Sequence, residues 1–171
     1  DPSSSFGTGT HETTWLCLAS LEKVVFQGAT VLDMGCGSGI LAAGALLLGA
    51  SSALCVDVEE DAMRVTRENM LRNGIPETRF ATLLGNALLP GEVRDQVCAG
   101  QYDVIAANIV ADVILAMQPL FQKVLKKTGK LIASGIILDR LEEVRTAYEQ
   151  AGMPVEHICI EGEWAALTIG C

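Results

Sequence analysis

The chain has 171 residues, of which half are hydrophobic and only 5% aromatic, and it carries a formal net charge of −9. This length suits a single domain with an aliphatic core. The acidic surface disfavours nucleic acid as a direct partner and favours a basic protein or a cationic small molecule. The six cysteines are scattered and only two histidines are present, which predicts no metal site but reduced thiols in a cytoplasmic protein.

The N-terminal segment combines a turn-like stretch with the start of a helix. Residues 1–5 have the composition of a turn or linker, and Phe-Gly-Thr-Gly-Thr-His-Glu-Thr-Thr follows over residues 6–14. This stretch lacks the lysine of a phosphate-binding loop. A helix is predicted to begin between residues 12 and 14, with an apolar face formed by Trp15, Leu18 and Leu21. Near its start, the hydroxyls of Thr13 and Thr14 could bind a carboxylate or could cap the helix.

A glycine-rich loop comes next, between a predicted strand over residues 29–32 and a predicted helix over residues 40–48. Alternating glycines allow a sharp turn and leave no side chain between backbone and ligand. The first turn of the following helix offers N–H groups to an anionic group. The dinucleotide fingerprint Gly-x-Gly-x-x-Gly is not met, because Ile40 stands at its last position and Gly39 comes one residue early.

The pattern Asp-x-Gly-x-Gly-x-Gly over residues 33–39 resembles motif I of the class I S-adenosylmethionine-dependent methyltransferases. The resemblance implies cofactor contacts from Asp33, Gly35, Cys36, Gly37 and Gly39. The alternative is a strand-to-helix turn without a ligand. It is disfavoured because Asp57 ends the next predicted strand, at the spacing of the carboxylate that accepts hydrogen bonds from ribose hydroxyls. Asp57 could also cap the following helix, and the two roles are compatible.

The segment from Met34 to Val56 contains no charged residue and would be flagged as a membrane span by hydropathy alone. Its glycines and serines, bracketed by Asp33 and Asp57, instead favour a strand–helix–strand unit buried on both faces. We therefore expect no membrane association. A helix over residues 59–73 and a third strand over residues 79–84 follow.

Two asparagines follow predicted strands. By analogy with class I enzymes, Asn86 is expected to meet the adenine amino group. Asn108 ends the fourth strand, over residues 102–107, where open α/β sheets place reacting groups. Its carboxamide oxygen could hold a target nitrogen so that the lone pair points at a methyl carbon, or the residue could simply close a turn.

The C-terminal third is predicted to be scaffold. It comprises a helix over residues 111–127 that Pro119 is expected to kink or divide, and a strand over residues 130–134. A capping box over residues 139–142 is predicted to begin a further helix, whose apolar face includes Val144 and Tyr148. An antiparallel hairpin over residues 155–169 closes the chain. The alternation of strands and helices predicts an α/β fold, a three-layer α/β/α sandwich.

Four stretches together resemble the ribosomal protein L11 methyltransferase family: residues 6–14, 39–42, 108–110 and 134–136. Glu12 stands where that family usually has proline. The resemblance covers nearly the whole chain and implies a Rossmann-like sheet of seven mostly parallel strands, the last antiparallel. It also implies S-adenosylmethionine as cofactor, with Phe6, Thr13 and Thr14 in its site. We expect residues 1–171 to be one methyltransferase domain, without the family's N-terminal domain for substrate recognition.

The expected activity is N-methylation of amines, lysine side chains and the N-terminal amine, in a large-subunit ribosomal protein. Asn108 occupies the position of the asparagine in the Asn-Pro-Pro-Tyr motif of other amine and amide methyltransferases, but the prolines and the aromatic ring are absent, which favours an aliphatic amine. His11 could accept the amine's proton or could order its loop. The alternatives are a methyltransferase for another protein or a small amine, a non-catalytic cofactor-binding module and, more distantly, an NAD oxidoreductase.

Overall fold

The computed structural model describes residues 10–171, with side chains from residue 12 onward. The helices are α1 Thr10–Val24, α2 Ile40–Leu47, α3 Glu60–Arg72, α4 Glu92–Cys98, α5 Ala111–Val124 and α6 Leu141–Gln150. The strands are β1 Thr30–Met34, β2 Ser52–Asp57, β3 Phe80–Leu84, β4 Tyr102–Asn108, β5 Leu125–Ile137, β6 Val155–Glu161 and β7 Trp164–Ile169. Short 3-10 turns, Glu77–Arg79 and Leu138–Arg140, precede β3 and α6.

The strands form one sheet in the order β3-β2-β1-β4-β5-β7-β6. Neighbours from β3 to β5 pair in parallel, and β7 runs antiparallel to both β5 and β6. This confirms the expected mostly parallel, seven-stranded sheet with an antiparallel last strand. The strand order reverses direction between β1 and β4, and in sheets of this kind ligands bind at the carboxyl ends of the strands flanking that point.

Two separate hydrophobic cores cover the two faces of the sheet. Alternate side chains of each central strand point to opposite faces, so that Val31 packs with α1, α2 and α3 while Leu32 packs with α4, α5 and α6. The same division continues along β4, where Val104 belongs to the first core and Ile105 to the second. The three-layer sandwich predicted from the alternation of strands and helices is therefore confirmed.

The predicted apolar face of α1 is partly wrong. Trp15 is 62% exposed, whereas Leu16, Cys17 and Leu21 are buried. The helix begins at Thr10, earlier than predicted. The buried face of the helix therefore begins at Leu16 and not at Trp15, because hydrophobicity alone does not determine which side of a helix is covered.

Two predictions for the C-terminal third also need correction. Pro119 does not divide α5, which ends at Val124. Pro119 is exposed, and the helix continues past it to Val124. The capping box is wrong as well, because Asp139 lies in a 3-10 turn and α6 has no side-chain cap. Arg140 instead contacts Asp112 and Glu143 at 2.8 and 2.7 Å.

The uncharged segment from residue 34 to residue 56 forms the end of β1, the glycine loop, α2 and most of β2. Within residues 10–171, no helix has the length and apolar character that crossing a membrane requires. The strand–helix–strand interpretation of this segment is confirmed.

The hydroxyl of Tyr148 provides a test of how α6 is held against α5. It is fully buried and donates a hydrogen bond to the Ile114 carbonyl at 2.6 Å, and burial raises the pKa of the phenol. Removing this hydroxyl in Tyr148→Phe should lower the free energy of unfolding by about 1–2 kcal/mol, since a buried acceptor loses a donor. Urea titration measures the change, and an unaltered midpoint would contradict the bond's contribution.

Candidate functional site

The candidate site lies where β1, β4 and β5 end side by side. Met34 pairs with Ala107, and Asn108 pairs with Ser134. The glycine loop after β1 therefore lies next to the Asn108 segment, which in turn lies next to Gly135. These are the carboxyl ends of parallel strands at the point where the strand order reverses, the usual position of a ligand crevice.

Two glycines allow the segments to approach this closely. A side chain on Gly35 would collide with the Ile109 side chain. A Cβ on Gly135 would lie 3.0 Å from Asn108 Oδ1 and 3.1 Å from the Ile109 carbonyl oxygen. Both glycines also have positive φ angles, 77° and 79°, which other residues adopt at a cost. A side chain at residue 35 would therefore displace the Ile109 side chain, and one at residue 135 would press against the Asn108 carboxamide.

Backbone hydrogen bonds attach the glycine loop to β2. The N–H groups of Gly35 and Cys36 donate to the Val56 carbonyl at 2.8 and 3.0 Å, and the Gly37 N–H donates to Asp57 Oδ2 at 2.8 Å. Asp57 Oδ1 accepts the Glu59 N–H at 2.9 Å, just before α3. Asp57 thus binds the N–H of Glu59, the residue before α3, and is not the cap of that helix, which has no side-chain cap. Each carboxylate oxygen accepts one hydrogen bond here and keeps a lone pair, and the contact with a ribose hydroxyl stays a prediction.

Asp33 lies beneath the loop in the core. It is fully buried, and its Oδ2 accepts the Ala42 N–H in the first turn of α2 at 3.1 Å. Oδ1 is buried and has no hydrogen-bond partner within residues 10–171. Burial raises the pKa of this carboxyl to about 7, with a further upward contribution from Asp57, although the Ala42 N–H opposes the shift. Its observed contact anchors α2, and a cofactor contact stays a prediction.

Asn108 is held in a buried polar cluster with the start of α1. The residue is 6% exposed, and its Nδ2 lies 3.5 Å from Thr13 Oγ1. Ser134 Oγ donates to the Thr13 carbonyl at 3.1 Å. Asn108 Oδ1 is buried and, in the part of the chain that the structure describes, accepts no hydrogen bond. The cluster therefore leaves a strong acceptor beside Gly135, and an unmet buried acceptor of this kind is unusual.

Other predicted site residues fall into three groups. Neither Thr13 nor Thr14 caps α1, because the helix begins at Thr10. Asn86 is exposed and its Oδ1 accepts the Leu88 N–H at 2.9 Å, so it forms a turn after β3, and its contact with an adenine stays a prediction. Phe6 and the side chain of His11 lie outside the described residues, and their roles also stay predictions.

Two residues of α3 that contact the loop were not predicted from the sequence. Thr66 is fully buried and donates to the Gly37 carbonyl at 3.1 Å, and Asn69 Nδ2 donates to the Ser38 carbonyl at 2.8 Å. Thr66 also lies 3.5 Å from the Cys36 sulfur, so the thiol faces α3. The helical spacing of Thr66 between Ala62 and Met70, both buried, could have placed it on the inner face, but no local pattern names its partner.

The described residues include no group of three or more histidine, cysteine, aspartate or glutamate side chains that could hold a metal ion. All six cysteines are free. The polar groups that converge at the strand ends are thus suited to hydrogen bonding with an organic ligand. Backbone turns, one half-buried carboxylate and one buried carboxamide supply them.

Comparisons with known proteins agree with this arrangement. The family model described as ribosomal protein L11 methyltransferase (PrmA) matches residues 1–170. A ribosomal protein L11 methyltransferase of Agathobacter rectalis is 45% identical over 98% of this chain and 53% of its own length. The crystal structure of a ribosomal protein L11 methylase from Lactobacillus delbrueckii subsp. bulgaricus is 32% identical, with a TM-score of 0.84 over 94% of this chain and 78% of that chain.

A more distant structure, a methyltransferase fold complexed with SAH, is 12% identical, with a TM-score of 0.72 over 90% of this chain and 48% of that chain. At this identity it shows the likeness of fold alone. The chain spans about half the length of the curated relatives that it matches.

The carboxylate of Asp57 should contribute directly to cofactor affinity. In Asp57→Asn we expect the Kd for S-adenosylhomocysteine to rise about tenfold or more, because hydrogen bonds to a charged acceptor contribute roughly 1.5–3 kcal/mol. Isothermal titration calorimetry measures the change. Asp103→Asn is a matched control at the opposite end of the sheet, where Asp103 pairs with Lys126, and its Kd should equal that of the unsubstituted protein. Equal Kd values for both variants would contradict the ribose assignment.

Asp33 should make the free protein less stable as the pH rises. The unfolded chain releases this proton near pH 3.8 and the folded chain near about 7, so between these values the folded state binds more protons and raising the pH works against folding. The contribution over that window is on the order of 4 kcal/mol at most. Asp33→Asn should flatten the pH dependence of the unfolding free energy between pH 5 and 7 in urea titrations; parallel curves would contradict it.

Proposed function

Because the chain belongs to the ribosomal protein L11 methyltransferase (PrmA) family, we propose that it is an S-adenosylmethionine-dependent N-methyltransferase acting on amines of a ribosomal protein. The observation that carries the proposal is the buried Asn108 carboxamide, whose oxygen meets no donor within residues 10–171 and lies beside Gly135, at the strand ends where the glycine loop also lies. An acceptor in this position suits a nitrogen substrate that has N–H groups to donate.

The cofactor is S-adenosylmethionine, which membership of a methyltransferase family and the SAH-bound fold neighbour support. The residues fit this group: the glycine turns admit a ligand against the backbone, and Asp57 offers acceptors for two ribose hydroxyls. A half-buried carboxylate also favours a cationic ligand nearby. When bound, the cofactor supplies a sulfonium methyl that an amine nitrogen can take by in-line displacement, with S-adenosylhomocysteine as the leaving group.

Asn108 orients the amine in this proposal. Its Nδ2 faces Thr13, so Oδ1 is left to accept an N–H of the substrate and to direct the nitrogen lone pair. The methyl donor is already activated, and the protein's main contribution is proximity and orientation. The buried position also excludes water from the acceptor, which strengthens the hydrogen bond.

The nucleophile must be a neutral amine. For a lysine with an unperturbed pKa near 10.4, deprotonation at pH 7 costs roughly 4–5 kcal/mol, and for an α-amino group only about 1 kcal/mol. Desolvation and a neighbouring positive charge lower an amine's pKa further. We assign His11, in the first turn of α1, as a candidate proton acceptor, with a hydrogen bond that orders the neighbouring chain as the alternative role.

The proposed substrate is a large-subunit ribosomal protein, methylated at lysine side chains and at its N-terminal amine in the cytoplasm. The names of relatives at 35–45% identity support a ribosomal protein. The net charge of −9 favours encounter with a basic partner. Because the chain matches about half of those relatives' length, the substrate is part of the proposal.

Replacing Asn108 tests this assignment. In Asn108→Ala we expect kcat for methyl transfer to fall about 100-fold through lost orientation, while the Kd for S-adenosylhomocysteine changes little. The measurement is transfer of a labelled methyl group to a ribosomal protein L11 substrate, to other basic proteins and to small amines.

Asn73→Ala is a matched control, since Asn73 is exposed at the end of α3, and it should keep full activity. Undiminished methylation of every offered amine by Asn108→Ala would overturn the role of Asn108. A protein that binds S-adenosylhomocysteine but methylates no offered amine would instead be a cofactor-binding module without catalysis.

A further inference from the structure

Helix α3, like β2, is hydrogen-bonded to the glycine loop. Thr66 makes two of these contacts and is fully buried. Its hydroxyl oxygen Oγ1 lies 3.1 Å from the Gly37 carbonyl oxygen and 3.5 Å from the Cys36 sulfur. Asn69, one turn later, donates to the Ser38 carbonyl at 2.8 Å. Two consecutive loop carbonyls are therefore bonded to side chains of α3.

This bonding decides which way the loop's peptide groups face. All described peptide bonds are trans, and in a trans peptide the carbonyl of one residue points opposite to the N–H of the next. With the Gly37 carbonyl turned towards Thr66, the Ser38 N–H points away from α3. Gly37 and Ser38 are exposed, so this tip of the loop is open to a ligand, and α3 determines which groups it presents.

The packing at Gly39 shows how closely Thr66 follows the loop. Gly39 has a φ angle of 79°, and a Cβ there would lie 2.7 Å from Thr66 Cγ2 and 2.9 Å from its Oγ1. The threonine thus occupies the space that a side chain at residue 39 would need. Both its methyl and its hydroxyl are used, the first in packing and the second in the hydrogen bond to Gly37.

We propose that Thr66 and Asn69 are positioning residues that hold the glycine loop in its cofactor-binding conformation before the cofactor arrives. They contact the cofactor only through the loop. Binding to a loop that is already ordered avoids the entropic cost of ordering it, so loss of either bond weakens affinity. The inference rests on the proposed function for the identity of the ligand, but it concerns binding and not methyl transfer.

The test compares Thr66→Val, which keeps the shape and loses the hydroxyl, with Thr66→Ser, which keeps the hydroxyl. The Kd for S-adenosylhomocysteine, measured by calorimetry, should rise about tenfold in Thr66→Val and stay within about threefold of the unsubstituted protein in Thr66→Ser. Asn69→Leu should behave as Thr66→Val does. Thr168→Val is the matched control, because Thr168 is a buried threonine of β7 far from the loop.

Two further measurements separate positioning from simple stability. Amide hydrogen exchange of the free Thr66→Val protein should be faster at residues 37–39 than in the unsubstituted protein, and unchanged in β4. In steady-state assays KM for the cofactor should rise, while KM for the protein substrate stays the same. A purely structural role would lower the unfolding free energy and leave both the Kd and the loop exchange rates as they were.

Each outcome distinguishes this inference from the proposed function. Equal Kd values for Thr66→Val and Thr168→Val, with the unsubstituted protein binding normally, overturn the positioning role and leave the methyltransferase proposal intact. Failure of the unsubstituted protein to bind S-adenosylhomocysteine overturns the cofactor instead; faster loop exchange in Thr66→Val would then still support the action of α3 on the loop.

Discussion

The close approach of three backbone segments at the ends of β1, β4 and β5 is the constraint on which the rest of the site depends. Gly35 leaves room for the Ile109 side chain, and Gly135 leaves room for the Asn108 carboxamide. Ile109 thereby joins the glycine loop to the segment that carries Asn108. Because protein interiors are close-packed, a shift of one segment is transmitted to the others, so the geometry of the cofactor loop and that of the acceptor oxygen are set together.

The two carboxyl groups near the loop, those of Asp33 and Asp57, make this close packing less favourable. Asp33 is fully buried and Asp57 raises its pKa further, a situation that costs folding free energy when both carboxyls are ionised. The Ala42 N–H offsets part of the cost by anchoring the first turn of α2 to Asp33, at a helix end where a negative charge is favoured. The arrangement is typical of a binding site, where local stability is lower than the fold alone would allow.

Features with a local cause could be predicted from the sequence, and features that depend on distant partners could not. The strands, the glycine turn and Asp57 could be predicted because each is marked by a pattern of neighbouring residues. Trp15 was misplaced because hydrophobicity does not say which face of a helix is covered, and the capping box failed because a 3-10 turn occupies residues 138–140. The roles of Thr66 and Asn69 depend on hydrogen bonds to the carbonyls of Gly37 and Ser38, which lie 29 and 31 residues away in the sequence.

The long separations within the site explain why it cannot form without the sheet. The bond from Ser134 to the Thr13 carbonyl spans 121 residues, and the contact from Asn108 to Thr13 spans 95. Such contacts exist only when β4 and β5 are paired and α1 is packed across their ends. A ligand that contacts both the glycine loop and Asn108 therefore binds only the folded chain and not the unfolded one. By mass action, its binding raises the free energy of unfolding of the whole sheet.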